Sequence, residues 1–255
     1  MGTADLHIHS IYSPDATTTV RAVLRQAKDT GMNVIAITDH DEIRGSLEAH
    51  QIAKEYNIEA IPAAEVSTSE GHLVALWIHE LPPKGLSLLD TLLLIGKQGG
   101  VAIAPHPFSN LPTSLSMESV VRVLTNPRAK AVLKGIETHN MSTQAFDSIA
   151  QKLAIYLPLA KLASSDSHVY WSVGAGRTEF PGETAQDLRN ALEHNTTVPI
   201  PYDGEFSPRD ALSWVRRITL KKLGFVSDAK SASQPVNTQR MSQSFIGKIK
   251  KRKSG

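Results

Sequence analysis

Asn33-Val34-Ile35-Ala36-Ile37-Thr38-Asp39-His40-Asp41 is an apolar run that stops abruptly at two acids flanking a histidine. Four consecutive apolar residues without alternation read as a strand covered on both faces, as in a parallel sheet. Carboxylates and an imidazole at its carboxyl end are costly to bury without a partner. A cation is such a partner, with His40 as ligand and Asp39 as the carboxylate orienting it or a neighbour. A surface loop is the alternative reading.

The same sequence of apolar run and polar stop recurs on both sides of this stretch. Runs lie at residues 3–9, 58–66, 72–78, 101–105, 131–138 and 159–165, with helix-period segments between most of them. Residues 18–29 carry Val20, Val23, Leu24 and Ala27 on one face and stop at Gly31, suited to a helix C-terminus. Segments 46–56, 87–98, 116–125, 143–156, 186–194 and 208–223 follow the same logic. About seven strands with interleaved helices predict an α/β chain folded as a parallel barrel. The connection from Glu65 to His72 is too short for a helix and predicts a tight loop. Residues 1–225 are thus expected to form one barrel domain. Residues 226–255, rich in Ser, Gln, Asn, Lys and Arg without an apolar face, are expected to be a disordered tail.

Candidate ligands stand mostly where these runs end. His7 and His9 occupy positions i and i+2 of a strand and leave the same face, so both can reach one cation. Asp15 follows in a turn-rich loop, where capping a helix is the competing role. Glu65 ends an apolar run and has two oxygens with which to bridge cations. His72 fits least well, because it opens a strand rather than closing one. His106 sits between Pro105 and Pro107, which remove backbone donors and fix an irregular turn. Asp166 and His168 repeat the i, i+2 spacing at another strand end. His139 also ends a run and could line the pocket. Arg177, in Gly174-Ala175-Gly176-Arg177-Thr178, is either a phosphate contact or part of a plain turn.

Composition narrows the chemistry. The 255 residues contain no cysteine, which excludes disulfides and thiolate ligands and leaves imidazole and carboxylate. Those donors suit Mn, Fe, Zn or Mg. No signal peptide or membrane span is evident, and a reducing cytoplasm is the expected location. The net charge of +2 hides a split, since residues 226–255 carry +6 and residues 1–225 carry −4. Lys248, Lys250, Lys251, Arg252 and Lys253 are either a solvated run or a contact for an anionic partner, nucleic acid included.

Taken in order, the HxH pair, the loop Asp, TDH, Glu, a following His, the proline-flanked His and the closing DxH resemble the PHP family, the polymerase and histidinol phosphatase domain. The resemblance spans residues 7–168 and implies a distorted (β/α)7 TIM-like barrel with a trinuclear metal site that hydrolyses phosphoesters. It implies His7, His9, Glu65 and Asp166 around one cation, Glu65, His72 and His106 around a second, and Asp15, His40 and His168 around a third. Compact stand-alone phosphoesterases are the members it resembles, some acting on nucleotide bisphosphates or short oligonucleotides. The expected activity is a metal-dependent phosphatase or phosphodiesterase with two or three divalent ions and in-line attack by a metal-bridging hydroxide. Asp39 and His139 are candidate proton donors, and Arg177 a candidate phosphate clamp. The expected partner is a small phosphorylated substrate, nucleotide or short RNA included. An amidohydrolase-type barrel and a non-catalytic metal- or nucleic-acid-binding module are the competing readings.

Overall fold

A computed structural model describes residues 1–109, 111–202 and 208–224. In chain order, β1 (Gly2–Ile8) leads through α1 (Val20–Asp29) to β2 (Val34–Ile37), and α2 (Arg44–Ile52) to β3 (Glu59–Ala60). Next come β4 (Ala63–Thr68) and β5 (Gly71–Leu76), then α3 (Leu88–Lys97) and β6 (Val101–Ala104). Two short helices, α4 (Met117–Leu124) and α5 (Pro127–Val132), precede β7 (Leu133–Asn140). After α6 (Asp147–Ala154) and β8 (Ala160–Ser164) the chain forms β9 (Arg177–Phe180), α7 (Ala185–His194), β10 (Val198–Ile200) and α8 (Pro208–Lys222). The basic segment 226–255, expected to be a disordered tail, lies outside the described residues.

The strands form two five-stranded sheets, ordered β10-β9-β1-β2-β3 and β4-β5-β6-β7-β8. The α/β class holds, but the ladders are not those of a uniformly parallel barrel, and no continuous ladder closes one among the described residues. Pairs β1–β2, β2–β3, β6–β7 and β7–β8 are parallel, whereas β1–β9, β9–β10, β4–β5 and β5–β6 are antiparallel. The sheets touch at two isolated parallel bridges, Ile8 to Ser167 and His40 to Glu65.

Burial explains the unalternating runs. Val34 and Ala36 of β2 pack with Ala4, Leu6, Val74, Leu76, Ile103 and Leu162, drawn from both sheets. Ile35 and Ile37 pack instead with Val20, Val23, Leu24 and Ala27 of α1 and with Ala49 of α2. Each face of the strand therefore has its own apolar partner. Helix starts follow local chemistry. Thr19 caps α1 through Ala22 N–H, and Asn126 with Pro127 opens α5. No described helix is long and apolar enough to cross a membrane.

Candidate metal centre

Both bridges between the sheets fall among the candidate ligands. His40 and Glu65 are themselves one bridge. At the other, Ile8 lies between His7 and His9, and Ser167 between Asp166 and His168. His9 N–H donates to Ser167 O at 2.8 Å, which ties the two i, i+2 pairs together. The position of His72 has a topological cause. Because β5 runs antiparallel to β4, with Ser67 opposite His72, the start of β5 lies at the end of the sheet that β4 reaches. The predicted tight loop is the Ser69-Glu70 turn, followed by Gly71 at φ +138°. His106 and Asp166 are held at φ +29° and +48°, the left-handed region that non-glycine residues enter only when their surroundings force them.

All nine residues converge. Glu65 is fully buried and faces two ways. Its Oε1 lies 2.9 Å from His72 Nδ1 and 3.1 Å from His106 Nε2. Its Oε2 lies 2.9 Å from His40 Nδ1, 3.4 Å from His7 Nε2 and 3.5 Å from His9 Nε2. Asp166 Oδ1 stands 3.5 Å from His7 Nε2 and 3.3 Å from His9 Nε2. Asp15 Oδ2 is 3.2 Å from the Nε2 atoms of both His40 and His168. Together these define four overlapping groups of ligand atoms: His9/Asp15/His40/His168, His7/His9/Asp166, His7/Glu65/His106 and His40/Glu65/His72. A cleft of about 440 Å³ opens over them, lined also by Leu111, Thr113 and Thr143.

The donor set fits divalent cations. Bonds of about 2.0–2.2 Å to one cation place neighbouring donors roughly 3 Å or slightly more apart, the spacing found here. Five buried side-chain atoms lack a hydrogen-bond partner among the described residues, and four are His7 Nε2, His9 Nε2, Glu65 Oε2 and His106 Nδ1. Enclosed polar atoms left unpaired are costly, and here His7 Nε2 and His9 Nε2 both face Glu65 Oε2, at 3.4 and 3.5 Å. Outer atoms orient the rings. His7 Nδ1 meets Glu137 Oε1 at 3.1 Å, His168 Nδ1 meets the Asp166 carbonyl at 2.9 Å, and His9 Nδ1 meets Ser13 Oγ at 3.3 Å. In each case Nε2 is the atom left facing inward.

Charge crowding shifts these groups. Burial disfavours the His40 cation, but Asp15 and Glu65 outweigh it and push its pKa up to about 10. Burial, with His168 alongside, pulls His9 down to about 4. Burial opposes ionisation of Glu65, Asp166 and Asp15, yet the surrounding imidazoles hold all three well below the ordinary carboxylate range.

Three other sequence candidates do not join the nine. Asp39 is fully buried, with its oxygens on Ser10 N–H at 2.6 Å and Ser10 Oγ at 2.7 Å. Its carboxylate fixes the loop behind His9, and its carbonyl accepts from Glu65 N–H at 3.2 Å. His139 bonds Thr138 Oγ1 and Gln151 Nε2 and lines a neighbouring cavity of about 350 Å³. A bulge between Glu137 and His139 breaks the alternation, so Glu137 and Asn140 face the site instead. Arg177 opens β9, opposite Ile200, and does not line the cleft. Sequence reasoning passed over Glu137, although an acid directly after Leu133-Lys134-Gly135-Ile136 was the available signal. Its Oε2 accepts from His106 N–H and Asn140 Nδ2, each at 2.8 Å. Burial opposes its ionisation, but His7 holds its pKa below the usual value.

An α/β chain that gathers six imidazoles and three carboxylates where its two sheets meet has the build of a metal-dependent hydrolase. It belongs to the PHP domain family, whose model matches residues 5–153, followed by a PHP-associated match over residues 148–197. An uncharacterized protein of Methanocaldococcus jannaschii is 35% identical over 178 residues, 66% of this chain and 98% of that protein. The 5'-3' exoribonuclease of Haemophilus influenzae is 38% identical over 103 residues, 39% of this chain and 37% of its own length. Among solved structures, a two-domain Bacteroides vulgatus protein containing a predicted PHP-like metal-dependent phosphoesterase superposes with TM-score 0.66 at 19% identity. That superposition covers 86% of this chain and 69% of the other, a likeness of fold.

Proposed function

We propose that this chain hydrolyses phosphoesters at a centre of two or three divalent cations. His7, His9, Glu65 and Asp166 would hold the first, Glu65, His72 and His106 the second, and Asp15, His40 and His168 the third. The observation that carries this reading is Glu65, whose two buried oxygens face two separate sets of imidazoles. When bound, the cations neutralise phosphoryl charge and make hydroxide available near neutral pH. Three carboxylates only partly cancel the charge of such cations, which leaves the cleft attractive to a phosphate dianion. Asp39 positions the His9-Ser10 loop, and Glu137 positions His7 and the His106 backbone. We infer further that the two sheets are halves of a distorted (β/α)7 barrel, since both bridges between them lie at the site. The substrate class is a small phosphorylated molecule, a nucleoside 3',5'-bisphosphate or short RNA, the latter favoured by the partial match to an exoribonuclease.

Purified protein with Mn²⁺ is expected to release phosphate from an aryl phosphate or nucleotide, and His7→Ala to abolish release. Full activity in protein stripped with EDTA would overturn the reading.

A further inference from the structure

The loop carrying Asp15 is held by a helix that neither family match reaches. Asp15 is the most exposed of the nine, with 35% of its side chain accessible, and it lies outside any strand or helix. Ser13 Oγ donates to Asp15 Oδ1 at 2.9 Å, which orients the carboxylate but leaves the backbone to be fixed by something else. The loop's own backbone bonds, Ile11 N–H to Thr18 O at 2.7 Å and Ser13 N–H to Ser10 O at 2.9 Å, do part of this, and α8 supplies the rest. Lys221 Nζ donates to Ile11 O at 2.5 Å, Ser13 O at 2.6 Å and Ala16 O at 2.8 Å. Trp214 Nε1 donates to Asp15 O at 3.1 Å. An ammonium has three N–H donors, and three carbonyls of a single turn match them. Bonds from a charged donor are stronger than neutral ones, so one side chain can set the shape of the loop. Trp214 and Lys221 are seven residues apart, two helical turns, and share a face of α8. The Trp214 ring also stands edge-on to His168, with centroids 6.4 Å apart. α8 thus touches two of the three residues assigned to the third cation, while the family matches end at residue 197.

We infer that Lys221 and Trp214 are positioning residues of the metal centre: α8 clamps the Asp15 loop and sets affinity at the third cation site. This inference rests on the metal-dependent reading above.

The test uses full-length chains with Lys221→Met, Lys221→Arg, Trp214→Phe and Asp15→Asn, and Lys221→Met combined with Asp15→Asn. Two readouts are taken, calorimetric titration with Mn²⁺ and hydrogen exchange over residues 11–18 without metal. Lys221→Met is expected to weaken the same site that Asp15→Asn removes by roughly tenfold, the scale found when a ligand's supporting contact is lost. The remaining sites should be unchanged, the double variant should bind like Asp15→Asn alone, and Lys221→Arg should recover most of the affinity. Exchange over residues 11–18 should accelerate in Lys221→Met. Unchanged affinity and exchange, or equal weakening of every site, would overturn the clamp while leaving the phosphoesterase reading intact. Wild-type protein that binds no Mn²⁺ would overturn both. Should Lys221→Met fail to fold, Trp214→Phe carries the same comparison, because it removes one hydrogen bond and keeps an aromatic ring in place.

Discussion

Glu137 orients His7, which would otherwise be an ordinary buried histidine, as a candidate ligand. Its Oε1 lies 3.1 Å from His7 Nδ1, which leaves Nε2 facing Glu65 and Asp166, and its Oε2 holds the backbone of His106. Glu137→Gln removes the charge and one of these acceptors without changing volume. The expected result is Mn²⁺ affinity lower by about 10–100-fold with the fold retained, read by calorimetry and circular dichroism. Wild-type affinity in that variant would show that the carboxylate only fills space. At this scale most of the nine candidate ligands were legible because they stand where an apolar run ends; Asp15, in a loop, and His72, at the start of β5, were legible only from their place in the ordered series. Glu137 and His139 were not, because a backbone bulge decides which of them faces inward, and nothing in Glu137-Thr138-His139-Asn140 announces it.

At the scale of elements, the β4–β5 hairpin decides whether His72 can take part. Its turn ends at Gly71, where φ is +138° and an added Cβ would stand 2.8 Å from both Leu115 N and Ser114 C. Backbone atoms cannot yield as a flexible side chain can. Gly71→Ala is therefore expected to cost on the order of 1–3 kcal/mol, from strain together with the forced shift. Urea denaturation of metal-free protein measures it, and an unchanged midpoint would mean that the turn relaxes freely. Most parallel strands were readable from their apolar runs, but β9 and β10 were not. In Arg177-Thr178-Glu179-Phe180 only the last residue is apolar, and β10 has Pro199 at its centre, tolerated because the strand lies at a sheet edge. The single run expected over residues 58–66 divides into β3 and β4 around Ile61 and Pro62, so one strand of the predicted barrel became two, in different sheets. That division makes the seam where His40 meets Glu65.

For the whole molecule, the consequence is that the site exists only when both sheets are in place. Its candidate ligands span residues 7 to 168, so an unfolded chain cannot present them together, and cation binding would be coupled to folding. At a concentration 100 times its Kd, each independently bound ion would add about 2.7 kcal/mol to stability. The pH dependence follows from His40. Its pKa in the metal-free protein is pushed up to about 10 by Asp15 and Glu65 against the effect of burial, above the ordinary value of 6.5. The folded-state pKa is raised, so this contribution to metal-free stability is fully present below about 6.5. It is lost as pH rises through the folded-state value. A cation must displace that proton, so binding strengthens over the same rise in pH that weakens the metal-free state. The increase in melting temperature caused by Mn²⁺ should accordingly grow between pH 6 and pH 8. Calorimetry at pH 7 in two buffers of different ionisation enthalpy should show net proton release on binding. A Mn²⁺-induced shift that is flat with pH, with no proton released, would mean that the imidazoles are already neutral and that the carboxylates do not charge them. In that case the electrostatic coupling across the seam, and with it the linkage between sheet docking and metal loading, would be absent.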